Sequence, residues 1–457
     1  MRRPKNRVLL PFVAGVVSAT LVTGIVGVVG SVSASTRYED LSLFTSVLNL
    51  VRRNYVDPVE EHDLVAGAVR GMLDELDPHS SFLDIEAYQE MQVDTKGEFH
   101  GLGIEITKRK DGYIEVVAPI EGTPADRAGI KARDQITAIC PTEVPEDWTE
   151  DCGPTKNMSL FEAVKLMRGK KGTEITVEIY REGFEEPEPV TIKRDVVKVV
   201  SVSARMLEPG YAYVRLRAFQ ERSDHDLEEA LAKLHQESET FDGLVLDMRD
   251  NPGGLLDQAV KIADIWLSEG LVVYTKGRVD SQLQEFRAHA AGTEPGYPIV
   301  VLVNEGTASA SEIVAGALQD HHRALVIGRQ TFGKGSVQTV YPLEGGSGLR
   351  LTTALYYTPG GRSIQEVGIQ PDIPVEVIEV AAAPSRPRLR EQDLEGHFTH
   401  QEADPASGEE LAGSDSPTDV QLARGLEVLK SWTYFERLRE SPPEGTSLQA
   451  LATDPEN

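Results

Sequence analysis

The chain has little cysteine: Cys140 and Cys152 are its only two in 457 residues. Both fall in a turn-rich acidic segment, residues 140–152 (CPTEVPEDWTEDC), with no nearby histidine to complete a zinc set. Positive charge is scarce too. Lys and Arg number 46 against 73 Asp and Glu, a formal net charge of −27, and no basic stripe interrupts the excess. That argues against nucleic acid as a main partner. No motif repeats at a fixed period, which argues against a solenoid or propeller. A G-x-S-x-G elbow is missing around Ser309, which lowers an α/β-hydrolase reading. Residues 328–335 (GRQTFGKG) match most of a phosphate loop. Gly335 stands where Mg²⁺ would need Ser or Thr, so a nucleotide site is rejected. Asp320-His321-His322 has no matching Asp/His set elsewhere and makes no metallophosphoesterase.

Charge is also absent from Val8 to about Gly30, an apolar run preceded by Arg2, Arg3, Lys5 and Arg7. The run is long enough to span a bilayer and longer than the core of a typical signal peptide. The basic flank should stay cytoplasmic. Val32-Ser33-Ala34 resembles a signal-peptidase site, but the length favours a retained anchor. Either way the rest of the chain is expected on the outer face of the inner membrane, in the cell envelope. Export makes a Cys140–Cys152 disulfide the leading reading, against two buried free thiols. Closing so short a loop would stabilise it by ~3 kcal/mol at most.

The length allows several domains. Residues 1–34 form the anchor or signal segment. Residues 36–95 read as helical, with Phe44, Val47, Leu48 and Val51, then Leu64, Ala68 and Met72, at helical spacing. A break falls at Asp77-Pro78-His79-Ser80-Ser81-Phe82, where His79 is read as a turn or cap residue. Residues 97–195 form a second domain. Residues 196–382 alternate strand-like and helix-like runs, which predicts an α/β core with a mixed sheet. Residues 383–418, rich in Pro, Glu, Asp, Ser and Gly, read as a linker. Residues 419–457 form a tail with a short amphipathic helix over 421–432. The whole is a multidomain α/β (α+β) chain.

The chemistry concentrates in residues 303–312 (VNEGTASASE) and 333–338 (GKGSVQ). The first follows the apolar run 298–303 and precedes the apolar run 313–318, so it predicts a strand-to-helix turn. Small hydroxyl residues there sit at a helix N-terminus, where exposed N–H groups favour developing negative charge. A glycine-flanked lysine downstream could turn tightly and bring a neutral amine to a serine. Lys334 and Gln338 are four apart, on one face if the segment is a strand, so Gln338 could hold the amine. Two alternatives stand beside this. Ser309-x-x-Glu312 fits a helix capping box, and Thr307, Ser309 and Ser311 are all nucleophiles by chemistry alone.

These runs resemble the C-terminal processing peptidases, or tail-specific proteases. In that family the middle serine of the T-A-S-A-S-E-like run is the nucleophile, here Ser309. The general base is the lysine of G-K-G, here Lys334, with Gln338 in support. Residues 247–254 (DMRDNPGG) are similar to the family's D-L-R-x-N-P-G-G element. That likeness implies an oxyanion hole from the amide of Ala310 and that of Gly253 or Gly254. Residues 76–82 resemble the family's structural L-D-P-H-S-S-(Y/F) segment. The resemblance spans residues 38 to 375.

Residues 97–195 resemble a PDZ domain. The likeness implies that Gly101, Leu102, Gly103 and Ile104 receive a peptide's terminal carboxylate and add the peptide as a strand. Residues 159–168 read as the helix lining that groove. Arg168 either senses the peptide end, contacts the protease body, or is a solvated helix end. Two departures from the PDZ pattern are Arg133, where glycine is usual, and the acidic cysteine loop. The family resemblance implies a serine endopeptidase that takes polypeptides with exposed apolar C-termini and needs no metal or organic cofactor. It further implies a PDZ domain that gates activity and terminal helices that build a homodimer. The rival reading is a membrane-anchored PDZ scaffold with an inactive protease body.

Overall fold

A computed structural model describes residues 38–108, 112–145, 148–238, 240–279, 283–376, 390–394, 396–398 and 419–440. The run from Val8 to Gly30 lies outside the described residues. Among the described residues no helix is long and apolar enough to cross a membrane.

The chain divides into two units, Met1–Leu76 and Asp77–Asn457. The described part of the first is helical, over residues 38–54 and Glu61–Asp74. Leu41, Phe44, Val47 and Leu50 of its first helix stay exposed.

The second unit opens with the strand Ser81–Leu83 and the helix Ile85–Lys96. A six-stranded antiparallel sheet follows. Its path runs Ile104–Lys108, Ile114–Pro119, Gln135–Pro141, Glu174–Tyr180, Glu188–Lys193, with Gly153–Pro154 added to the third strand. Alternation sets which side chains go inward: Ile175, Val177 and Ile179 are buried while Glu174 and Tyr180 face water. The helix Leu160–Met167 closes this core with Ala163 and Met167. It starts where Ser159 and Glu162 cap each other reciprocally. Ile104–Lys108 is an edge strand. Cys140 and Cys152 are paired, with 4.1 Å between their Cα atoms.

A mixed sheet follows, in the order Val202–Glu208, Tyr211–Leu216, Gly243–Asp247, Ile299–Val303, Leu325–Gly328, Ile373–Pro374. Only its first pair is antiparallel. Gly243–Asp247 and Ile299–Val303 are buried at every residue. Such unbroken apolar runs are what parallel strands covered on both faces require. One face packs on the helices Ser223–Glu237, Leu256–Asp264 and Ala310–Asp320. The other face, with Val245, Val300, Leu302 and Ile327, is covered by Leu422, Val428 and Leu429. These belong to the helix Val420–Glu440, which is longer than the sequence predicts and is part of the core. The extension beyond residue 432 carries Tyr434, Phe435 and Leu438, which are exposed. A second, antiparallel sheet joins Ser81–Leu83, Gly348–Tyr357, Leu271–Gly277 and Gln284–Arg287, and Ser336–Pro342 pairs with Gly348–Tyr357.

Arg133 adopts φ 71°, a left-handed conformation that glycine occupies without a Cβ penalty. Its neighbour Asp134 is fully buried and holds Arg181 through two hydrogen bonds of 2.6 and 2.7 Å. The fold therefore imposes the turn on an unsuitable residue. Arg133→Gly is expected to stabilise this domain by ~0.5–1 kcal/mol, the αL relief less the entropy that glycine returns to the unfolded chain. Chemical denaturation of the variant beside the parent checks it; an unchanged or lower midpoint would contradict the account.

Candidate active site

The strand Ile299–Val303 ends at Asn304, and the chain turns into the helix Ala310–Asp320. The three hydroxyls of this turn have different surroundings. Thr307 donates to Met248 O at 2.9 Å and receives the Asn304 N–H at 3.0 Å. Ser311 donates to Asn251 O at 3.0 Å. Both hydroxyls thus tie the turn to the loop after Gly243–Asp247, and both residues are fully buried. Ser309 alone of the three keeps some exposure, 7 %. Its hydroxyl lies beside the Tyr356 phenol. Its backbone is held at φ 58°, ψ −115°, a strained conformation that costs on the order of 1–3 kcal/mol and persists only where surrounding bonds enforce it.

Glu312 is the residue that enforces it. It is fully buried and its carboxylate accepts from four donors. These are the Ser309 N–H at 2.7 Å, the Gly333 N–H at 2.8 Å, the Lys334 N–H at 3.0 Å and the Thr331 hydroxyl. The S-x-x-E spacing therefore does make the glutamate half of a capping box. The same carboxylate also fixes the segment that carries the lysine. One carboxylate thus serves the helix start and the lysine-bearing segment together.

Gly335 shows why the lysine is flanked by glycine. A Cβ there would come within 2.4 Å of the Gln365 backbone nitrogen. The Gly335 N–H donates to Gln365 Oε1 at 2.9 Å. The Lys334 amine is mostly buried. Burial, then the positive charge of Arg350, holds its pKa below the ordinary 10.5, against the opposing charges of Glu391, Glu312 and Asp77. Among the described residues Lys334 has no ion pair.

Gln338 does not follow the same-face expectation. The strand begins at Ser336, after Lys334, and its register shifts between Val337 and Gln338. The Gln338 amide donates to Ser336 Oγ at 2.9 Å and Ser336 O at 3.2 Å. Strand periodicity cannot carry a relation across a segment that is not yet a strand.

The D-M-R-D-N-P-G-G loop lies against the turn. Asn251 is fully buried and organises it. It receives the Ala308 N–H at its carbonyl, receives the Gly253 N–H at Oδ1, and donates Nδ2 to Leu216 O. A Cβ on Gly253 would lie 2.6 Å from Ala308 O and 2.9 Å from Ala310 N. Of the two glycines offered for an oxyanion hole, Gly253 already gives its N–H to Asn251. The amides of Gly254 and Ala310 have no hydrogen-bond acceptor among the described residues. Arg249 anchors the loop through Asp247 and Asp419, each at 2.7 Å.

The structure brings Gly101, Leu102, Gly103, Ile104 and Arg168 together around a groove of about 140 Å³ between the edge strand and the helix Leu160–Met167. Leu102 and Gly103 offer carbonyls to Ala125 and Ile120, which fixes the loop beside the groove. Arg168 follows the helix. It sits 5.0 Å over the Phe99 ring and 3.8 Å from Glu90, so it is partnered and not a freely solvated helix end.

Sequence reasoning missed Asp77, His79, Arg350, Gln365 and Glu391. Asp77 accepts from the His79 and Ser80 N–H groups, the Ser80 hydroxyl and the Thr352 hydroxyl. His79 is more than a turn residue: its Nε2 lies 2.8 Å from Glu391, 312 positions away. No local signal could have found that pair. The expected linker over 383–418 is likewise corrected for its described part. Residues 390–394 and 396–398 are folded, with a turn of 3₁₀-helix at Glu391–Asp393 and Glu391 fully buried.

Burial raises the Glu312 carboxyl to about 7, outweighing the bonds from its four donors. The unfolded chain should titrate near the ordinary 4.5. The folded protein then binds more protons between those two values. The contribution is complete below the lower value and is lost as pH rises through the upper one. Urea midpoints are expected to fall between pH 5 and pH 8 by a component that Glu312→Gln removes. Glu312→Ala leaves three backbone N–H groups unpaired and should cost ~3 kcal/mol or more at any pH. A variant with parental stability would refute the clamp.

Comparison with known proteins agrees with this architecture. Family models match at residues 26–87 (activating protease CtpB N-terminal domain), 90–180 (PDZ domain) and 210–375 (peptidase family S41). A carboxy-terminal-processing protease of Bartonella bacilliformis is 43% identical over 93% of this chain and 96% of its own length. A carboxyl-terminal-processing protease of a Synechocystis species is 40% identical over 72% of this chain and 75% of its own. Among solved structures, a photosystem II D1 C-terminal processing protease is 31% identical, covering 73% of this chain and 92% of that one, with a TM-score of 0.41. The chain belongs to the carboxy-terminal processing proteases, serine peptidases of family S41 that carry a PDZ domain.

Proposed function

We infer that Ser309 and Lys334 form a nucleophile–base dyad that cleaves polypeptides presented by their apolar C-terminal tails. The observation that carries this is the Glu312 carboxylate, which bonds the Ser309 and Lys334 backbones at once. In this reading Ser309 Oγ attacks the scissile carbonyl and Lys334 Nζ accepts the hydroxyl proton. The amides of Ala310 and Gly254 hold the tetrahedral oxyanion. The ammonium then returns the proton to the leaving amine, and an acyl ester remains on Ser309. Water, deprotonated by the same lysine, hydrolyses it. A lysine serves as base only when neutral, which is why burial of its amine supports this role. Gln338, bonded to Ser336 two residues beyond the lysine, supports the lysine-bearing segment in this reading.

The groove at Gly101–Ile104 would take the tail. Backbone N–H groups would hold its carboxylate, and the free edge of Ile104–Lys108 would pair with it as a strand. Arg168 at the mouth would read the tail's end. The basic flank and apolar run before residue 31 support anchoring in the inner membrane with the body in the envelope. That compartment suits the Cys140–Cys152 disulfide.

Cleavage of an unfolded protein with an apolar C-terminal tail tests the reading. Cleavage should require the tail and vanish in Ser309→Ala and in Lys334→Ala. Its rate should rise with pH along a limb lying below 10.5, because the folded lysine loses its proton early. Lys334→Ala at parental rate would remove the lysine from the mechanism. Tail binding without cleavage by the parent chain would favour a scaffold.

A further inference from the structure

Glu391 has no counterpart among the residues of the proposed mechanism, yet it is a carboxylate with no solvent exposure. A buried charge is retained only when it is paired and hydrogen-bonded. Here both conditions are met by residues distant in sequence. Glu391 Oε1 accepts the Gln365 Nε2–H at 2.8 Å, and both of its oxygens lie 2.8 Å from His79 Nε2. Gln365, itself 1% exposed, accepts the Gly335 N–H at its other end. A relay thus runs from Glu391 through the Gln365 amide to the backbone next to Lys334.

The segment around Glu391 is fastened to the same strip of chain. The Glu391 N–H donates to Phe332 O at 3.2 Å. Arg390 Nη2 reaches Thr331 O at 3.3 Å and Glu366 O at 3.2 Å. His397 bonds Glu366 and Leu394. Lys334 is therefore held from two sides. Glu312 grips the N–H groups of residues 333 and 334, and Gln365 with Glu391 grips that of residue 335. His79 connects the second grip to Asp77, which binds Thr352 of the neighbouring strand. The Glu391 charge also opposes the burial that depresses the lysine.

We propose that Glu391 is a positioning residue for the catalytic lysine, acting through Gln365 and held by His79. Residues 390–394 are then part of the catalytic apparatus and no linker. The inference rests on the Ser309–Lys334 reading. An amine displaced by a fraction of an ångström should cost turnover without weakening capture of the tail.

The test is steady-state cleavage of a tail-bearing unfolded protein by the full chain, its Ser309→Ala control, and Glu391→Ala, Glu391→Gln and Gln365→Met. Labelling of Ser309 by a fluorophosphonate would read the dyad apart from tail binding. Glu391→Ala is expected to lose on the order of 10- to 100-fold in kcat and in labelling rate, with KM within about twofold. Glu391→Gln keeps an acceptor for Gln365 and should recover most of the loss, which a merely structural role for the charge would not give. Should Glu391→Ala fail to fold, Gln365→Met breaks the relay without touching a charge and should show the same kcat loss. Glu391→Ala at parental kcat overturns the proposal. Faster cleavage overturns it too, because the segment would then be a plug. Glu391→Gln no better than Glu391→Ala would overturn the relay. A parent chain that does not cleave, or a Ser309→Ala chain that does, sinks the dyad reading and this inference with it. Parental activity lost in Ser309→Ala but kept in Glu391→Ala sinks this inference alone.

Discussion

The buried Glu312 carboxylate is the constraint on which the site depends. A serine at a strand-to-helix turn and a lysine on a separate glycine-rich segment have no covalent reason to stay in register. One carboxylate with four donors supplies it. Glu312 also stands on a helix whose first nine residues are all buried. That helix rests on the fully buried strand Ile299–Val303. Displacing the carboxylate would require moving the core, so the strained Ser309 backbone is imposed by packing and not by local preference.

Fixing the backbone on both sides leaves the lysine side chain as the part free to respond. Its surroundings are balanced between burial and Arg350 on one hand and Glu391, Glu312 and Asp77 on the other. Three of those groups come from regions far apart in sequence: residue 77, residue 350 and residue 391. The basicity of a single amine is thus a property of the assembled fold.

Much of this was legible in the residues, and the failures share a cause. The strands at 243–247, 299–303 and 325–328 announce themselves as apolar runs, because strands buried on both faces have little polar alternation to confuse the pattern. Three short motifs locate Ser309, Lys334 and the Gly253-Gly254 loop, because close backbone approach demands glycine and small hydroxyls. The same-face relation of Lys334 and Gln338 does not hold, because Lys334 precedes the strand and a register shift follows it. Glu391 is obscured by its neighbours, whose Pro-, Glu- and Ser-rich composition is that of a linker, and the helix predicted over 421–432 extends to Val420–Glu440. Pairings such as His79 with Glu391 are set by tertiary structure alone, and no window of local sequence contains them.

The helix Val420–Glu440 also has a consequence in time. It covers one face of the central sheet, and Asp419 just before it holds Arg249 in the loop beside Ser309. During synthesis the ribosome releases Ser309 and Lys334 well before residues 391 and 419–429. Until those residues emerge, Val245, Val300, Leu302 and Ile327 lack the cover of Leu422, Val428 and Leu429, and Arg249 is paired with Asp247 but not with Asp419. The serine and the lysine are thus synthesised before the residues that complete the core around them.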